Sequence, residues 1–318
     1  SLKKVGRPAI LMCFVPACFE IGGMLLLAPP LLHISLLEAA IMGTVVAAVS
    51  PAVIVPKMLH LMETGYGTKQ SIPQLIMAGA SVDDVFVIVL FTSFTGLAQG
   101  HQISAVSFLS IPVSILLGLL VGAIIGMLLA LLFARFHMRD SVKVLLILSL
   151  SFLLVALENT VKSTVPFSGL LAVMSLNIAV QRKRTEVAAR LSAKFSKLWV
   201  AAELILFVLV GATVDLSYVT TAGLAAVIVI LGVLLFRMLG VCVCLLKTTL
   251  QKKERLFCML AYLPKATVQA AIGSLPLSMG LACGNIVLTV AVLSILITAP
   301  LGAFLIDLTY KKLLKKAE

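Results

Sequence analysis

The sequence predicts an all-α polytopic membrane protein of about ten transmembrane helices, folded as an inverted repeat with a broken helix in each half. Three observations predict it. Of the 318 residues, 61% are hydrophobic and 12% charged, with a mean hydropathy of +1.17, whereas a soluble domain carries about 25% charged residues. Apolar runs of about 20 residues recur along the chain, long enough to cross a hydrocarbon core, and they lack the period-two alternation of barrel strands. Two of the runs carry proline near their middles, in Ala48-Val-Ser-Pro-Ala-Val-Ile-Val-Pro56 and in Leu263-Pro-Lys-Ala-Thr267, where it removes a helical hydrogen bond and clashes with the preceding turn.

Taken in order, the runs place spans at about 9–28, 34–62, 72–98, 104–134, 142–159, 166–181, 195–214, 222–246, 254–276 and 286–308. The second and fourth are long enough to tilt or be interrupted. With the N-terminus inside and the spans alternating, Lys3, Lys4, Arg7, Lys57, Lys69, Arg135, Arg139, Lys143, the basic run from Arg182 to Lys197, Lys247 to Arg255 and Lys311 to Lys316 all fall on the cytoplasmic side. Of the 25 Lys and Arg residues only Lys162 lies outside, while Arg237 and Lys265 lie within spans. This is the positive-inside pattern, and it puts both ends of the chain in the cytoplasm. A plasma membrane is expected, of the bacterial inner-membrane kind or its eukaryotic equivalent. The chain opens on Ser1 with no signal-peptide pattern, and is expected to lack its natural beginning.

The net charge of +12 is accounted for by those loops, so no nucleic-acid partner is inferred. The six cysteines lie mostly within apolar runs, with no Cys-x-x-Cys pair and no neighbouring histidine; they read as small core residues, with no zinc site or disulfide framework. His33, His60, His101 and His137 fall at or near span ends. Nothing resembles a Ser-His-Asp set, a metal cluster or a phosphate loop, so no enzyme and no cofactor is predicted. The segment 184–197 is amphipathic and reads as a membrane-surface helix leading into the seventh span.

Charge inside a span is expensive and normally lines a pathway or is paired. Glu20, Asp83, Asp84, Arg237 and Lys265 are such charges. Glu38 is near the outer end of its span and is expected to snorkel to the interface; Asp215 is expected to be wet. Glu203 reads either as a cavity-facing carboxylate or as a structural one. Asp83 and Asp84 are consecutive, so about 100° apart on a helix, and one can face a cavity while the other reaches a neighbouring helix. Glu20 and Arg237 read as a salt bridge that locks two helices.

The first three spans carry an acid, Glu20, then a mid-span proline, Pro51, then a third helix. The last three carry a base, Arg237, then Pro264, then a third helix, with similar charge-to-proline spacings of 31 and 27 residues. By the topology above the two triplets run in opposite directions, which is the pattern of an inverted repeat with a broken helix in each half. Broken ends in lipid need compensation. Acid suits the positive N-terminal ends and base the negative C-terminal ends, and Asp83, Asp84 and Lys265 are the groups available. Carbonyls, Ser50 and Thr267 can add oxygen ligands for a small hard cation. A buried carboxylate that loses its cation takes up a proton, so cation and proton compete for one site. An alternating site then exchanges them, with Asp84 as the exchanging carboxylate and Asp83 assisting or salt-bridged.

These residues resemble a known family. Ala48-Val-Ser-Pro-Ala-Val-Ile-Val-Pro56, Ser81-Val-Asp-Asp84, Leu263-Pro-Lys-Ala-Thr-Val-Gln-Ala-Ala-Ile-Gly273 and Leu293-Ser-Ile-Leu-Ile-Thr-Ala-Pro300 are similar to the monovalent cation/proton antiporters, in the sodium/hydrogen antiporter branch of the NHA type, from about Glu20 to Leu314. The resemblance implies two unwound helices crossing in a core that moves against a dimerisation panel. The core would comprise 1–98 and 222–318, with linker and panel helices at 99–221. It implies that Asp84 carries Na⁺ or Li⁺ or the proton, that Asp83 supports it, that Glu20 pairs with Arg237 and that Lys265 sits at the second crossing helix. Homodimers are implied too. Many relatives have Thr-Asp where this chain has Ser50-Pro51, so one polar ligand is absent at the first crossover, and relatives carry further spans before the first one here.

Two other readings use the same features. A cation channel would line a pore with the mid-span polar groups without coupling to protons. A cation-coupled solute symporter would need a roomy polar cavity near the crossover. The sequence offers one Trp, four Tyr and mainly Gln269 and Asn285 for that purpose.

Overall fold

Each of the ten expected spans falls on helix, in order, in the computed structural model, which describes residues 2–100, 105–161, 167–212 and 216–316. His101, Lys162 and Asp215 lie outside the described residues, as does the side chain of Glu203. Seven helical stretches among the described residues are long and apolar enough to cross a membrane: Gly6–Leu32, Leu36–Thr64, Ile72–Ala98, Leu116–Arg135, Asp140–Glu158, Gly223–Cys244 and Gly284–Leu313. The chain divides into two units, 1–101 with 206–318 and 102–205.

The first unit begins with α1 (Leu2–Met12) and α2 (Val15–Leu32). The first expected span is therefore itself interrupted, at Cys13-Phe14; Pro16 follows at the start of α2, where a missing N–H costs nothing. The second span is divided into α3 (Leu36–Ala47) and α4 (Pro51–Thr64). Glu38 does not simply snorkel: Ser35 and Glu38 form a capping box at the start of α3, with the Ser35 N–H donating to Glu38 Oε2 at 2.8 Å and the Glu38 N–H to Ser35 Oγ at 3.3 Å. The third span is α5 (Ile72–Ala98).

The second unit holds α6 (Ala105–Arg135), α7 (Asp140–Val161), α8 (Gly169–Lys183) and the part of α9 (Thr185–Ala212) up to Ile205. Gly118, Gly122 and Gly126 form a stripe on α6 that lies directly against the backbone of α8. A Cβ at Gly122 would stand 2.0 Å from Ala172 O, a position that no rotamer change relieves. Gly122→Leu should therefore force α6 and α8 apart. It is expected to lower stability at or beyond the upper end of the about 1–3 kcal/mol typical of overpacking, read as a fall in the thermal melting midpoint of the detergent-solubilised protein. The amphipathic stretch 184–197 is continuous with the seventh span in α9, and its basic face has partners: Arg190 Nε is 2.9 Å from Asp140 Oδ2, and Lys194 Nζ donates to Ser141 Oγ at 3.0 Å.

The first unit resumes at Leu206 within α9 and continues with α10 (Leu216–Cys244), then α11 (Lys252–Ala261), the short α12 (Thr267–Ile272) and α13 (Leu275–Ser278), and finally α14 (Gly284–Leu313). Among the described residues its apolar interior has two large clusters and a small one around Ala270 and Leu288. One large cluster takes Val87 and Phe91 of α5 with Ala226 to Leu234 of α10; the other takes Ile72 to Ala80 of α5 with Val241 to Leu245 of α10. Asp83 on α5 and Arg237 on α10 both fall in the interval between these contributions. The charged layer thus lies between two apolar ones, and the two helix breaks share it.

Candidate ion site at the helix crossing

The site begins with two prolines. Pro51 has no N–H to donate and pushes the residue before it out of the helical region. Ala48 (φ −71°, ψ 142°) and Ser50 (φ −87°, ψ 108°) are accordingly extended, and α4 restarts with Pro51 at its first position. Pro264 lies in the second non-helical segment, between α11 and α12. Its ring packs against Gly302 of α14, where a Cβ would lie 2.4 Å from Pro264 Cγ.

A broken helix in an apolar layer leaves orphan carbonyls on one side and orphan N–H groups on the other. Here each break is completed from other elements of the same unit. The Ser50 N–H donates to Pro264 O at 2.8 Å, so the two breaks touch. Gln269 Nε2 donates to Val46 O at 3.2 Å and to Ala48 O at 2.9 Å. Arg237 donates through Nη1 to Ala47 O and through Nε to Tyr262 O, the latter at 2.7 Å. On the donor side, the Val49 N–H meets Asp83 Oδ2 at 3.1 Å and the Lys265 N–H meets Thr298 Oγ1 at 2.9 Å.

Four fully buried charges join this frame. Arg237 Nη1 is 2.7 Å from Glu20 Oε2 and Nη2 is 2.7 Å from Asp83 Oδ2; Lys265 Nζ is 2.6 Å from Glu20 Oε2. Two acids and two bases balance, so burial leaves no net charge when all are ionised. The Arg237 guanidinium also lies over the Tyr262 ring, 5.0 Å from its centroid, and the Tyr262 hydroxyl donates to Met12 O at 3.0 Å.

Asp84 stands apart from this set. It is half-buried, and among the described residues it has no ion pair and its Oδ1 no hydrogen-bond partner. Other buried oxygens of the layer also lack donors: Glu20 Oε1, Ser50 Oγ, Asp83 Oδ1 and Gln269 Oε1. A surplus of oxygen acceptors is the donor set a hard cation takes.

The sequence leaves two contacts of this set unassigned. Lys265 sits at the second break with its ammonium on Glu20, and the base that meets Asp83 is Arg237. The reason is the double demand on Arg237, whose fork geometry lets one side chain serve two carboxylates and two carbonyls. Thr267 is half-buried at the first position of α12 and makes no side-chain hydrogen bond among the described residues. Thr298 and Tyr262 are not among the expected site residues, and Gln269 is considered only for the solute cavity of a symporter. The signal for Gln269 was a lone amide in an apolar run, five residues after Pro264. The signal for Thr298 was its place in the Leu293–Pro300 stretch.

A family model described as "Sodium/hydrogen exchanger, transmembrane" matches residues 1–312. The chain is 34% identical over its whole length to sodium/hydrogen exchanger 9B2 of Homo sapiens, and 32% identical over its whole length to sodium/hydrogen exchanger 9B1 of Mus musculus. It covers 61% and 58% of those proteins, so it spans about three fifths of the curated relatives it matches. Its fold is similar to that of the sodium proton antiporter MjNhaP1 from Methanocaldococcus jannaschii, with a TM-score of 0.85 and 18% identity, over 98% of this chain and 80% of that one. With the family model covering nearly every residue, the chain belongs to the sodium/hydrogen exchanger family.

Proposed function

We propose that the protein exchanges Na⁺ or Li⁺ for H⁺ by alternating access, with Asp84 binding cation and proton in competition. The observation that supports this most is the contrast between adjacent carboxylates. Asp83 is fully buried and committed to Arg237 and the Val49 N–H, while Asp84 is half-buried with no ion pair among the described residues. A committed carboxylate cannot trade its counter-ion each cycle; an uncommitted one can. Asp83, through its free Oδ1, and Ser50 Oγ are the further oxygens assigned to the cation, Pro51 and Pro264 set the crossing, and Thr267 is placed at its edge. Glu20, Arg237 and Lys265 keep the layer neutral while Asp84 changes its occupant. Both ends of the chain are assigned to the cytoplasm on the distribution of Lys and Arg, and a second copy of the chain is the proposed partner.

The relatives carry sodium and hydrogen in their names, which favours a monovalent cation coupled to protons over an organic solute. In proteoliposomes carrying an imposed pH gradient, Na⁺ or Li⁺ is expected to collapse the gradient and K⁺ to leave it. Cation flux that neither needs nor moves protons would make the protein a channel, and gradient collapse that requires an organic solute would make it a symporter.

A further inference from the structure

The crossing contains a peptide unit held from both sides. The carbonyl of Ala48 and the N–H of Val49 belong to one peptide plane, and in a trans peptide they point in opposite directions. The carbonyl accepts from Gln269 Nε2 at 2.9 Å; the N–H donates to Asp83 Oδ2 at 3.1 Å. Gln269 of the second broken helix is thereby connected through one rigid plane of the first to the carboxylate next to Asp84.

Three features make this a device rather than a chance contact. Gln269 is fully buried, and its second donor bond, to Val46 O at 3.2 Å, fixes the amide so that Nε2 faces the break. The plane is otherwise soft: it lies in the non-helical segment between α3 and α4, outside any ladder that would hold it. The neighbouring planes are pinned elsewhere, at Ala47 O by Arg237 and at the Ser50 N–H by Pro264 O. Among the described residues the Ala48–Val49 plane is the one that bonds Asp83 directly, and its carbonyl end is held by Gln269. Hydrogen bonds in series polarise one another in a low-dielectric interior, so an anchored carbonyl also strengthens the N–H on the far side.

We propose that Gln269 is a positioning residue for ion exchange: by clamping the Ala48–Val49 peptide it keeps the Val49 N–H on Asp83, and so biases the competition between proton and cation at the aspartate pair. Its Nε2 acts on the aspartate pair through that peptide plane. This rests on the proposed function above. Without the clamp the plane can turn, Asp83 loses a donor that favours its ionised form, and protons compete better for the pair.

The test uses the full chain in proteoliposomes, with Gln269→Met, which keeps length and apolar packing but has no donor, and Gln269→Asn, which keeps the amide with a shorter reach. The expected result for Gln269→Met is a KM for Na⁺ raised about tenfold, the scale of one weakened bond to a charged group. The deficit should grow as the pH falls, while kcat at saturating Na⁺ and high pH stays within about twofold of wild type. Gln269→Asn should shift the same way by less, and it carries the test alone should Gln269→Met not fold. A lower kcat with unchanged KM and pH profile would reduce Gln269 to a structural role and overturn the proposal, as would wild-type kinetics in the folded variants. Absence of any Na⁺-driven exchange in the wild type would instead sink the proposed function itself.

Discussion

Arg237→Met is expected to leave the core unable to hold its fold. The side chain is fully buried and serves four acceptors: Glu20 Oε2, Asp83 Oδ2, Ala47 O and Tyr262 O. Methionine fills much of the volume and satisfies none of them. Removing one partner of a buried pair costs about 3–5 kcal/mol, and each carbonyl left without a donor adds about 1–3 kcal/mol. Set against a typical total stability of about 5–15 kcal/mol, that is most or all of it. Lys265 still meets Glu20 Oε2, so the unrelieved burden falls on Asp83 and the two carbonyls. The double variant Arg237→Met with Asp83→Asn should consequently recover part of the loss, because removing both charges of a pair costs less than removing one. Thermal melting of the purified protein, followed by size-exclusion chromatography, reads both variants. A single variant that melts like wild type would mean that the four contacts do not hold the crossing together.

Asp84→Asn and Asp83→Asn are expected to fail in opposite ways. Asparagine has nearly the shape of aspartate. At Asp84 no ion pair among the described residues is broken, so stability should stay within about 1 kcal/mol of wild type, as for substitutions that disturb no paired group. Exchange should be lost, because the neutral amide takes neither a proton nor a counter-cation. At Asp83 the same change removes an anionic partner from Arg237 and replaces an oxygen that accepts from two donors. It should cost stability on the scale of a broken buried pair, about 3–5 kcal/mol, less whatever Glu20 compensates. Loss of function with an intact fold at one aspartate, and loss of fold at its neighbour, is the pattern to look for in paired melting and transport measurements.

The sequence carried the spans and the crossing because their causes are local. Proline at 51 and 264 breaks a helix wherever the rest of the chain lies, and apolar length marks a span without reference to neighbours. The acid-then-proline and base-then-proline order of the two halves likewise marked Glu20 and Arg237 as a pair, which the structure joins at 2.7 Å. What stayed hidden depends on reach across helices. That Lys265 lies on Glu20, and that Arg237 is shared between Glu20 and Asp83, follow from side chains meeting over more than 150 positions of separation. No spacing rule encodes that. Gln269 and Thr298 serve backbone groups at the breaks, and which carbonyls become orphans is fixed only once the breaks are placed. The capping box at Ser35 and Glu38 was legible from its Ser-x-x-Glu spacing, and so was the interruption before Pro16; both were overshadowed by the apolar runs around them.

The central claim is that Asp84 holds a proton or a cation, never both. The most direct test adds Na⁺ to purified, detergent-solubilised protein in weak buffer and follows proton release with a pH electrode or indicator. The wild type is expected to release protons on Na⁺ or Li⁺ addition and not on K⁺, over a bounded pH range, and folded Asp84→Asn to release none. Proton release from Asp84→Asn equal to that of the wild type would contradict the account and place the exchanging group elsewhere.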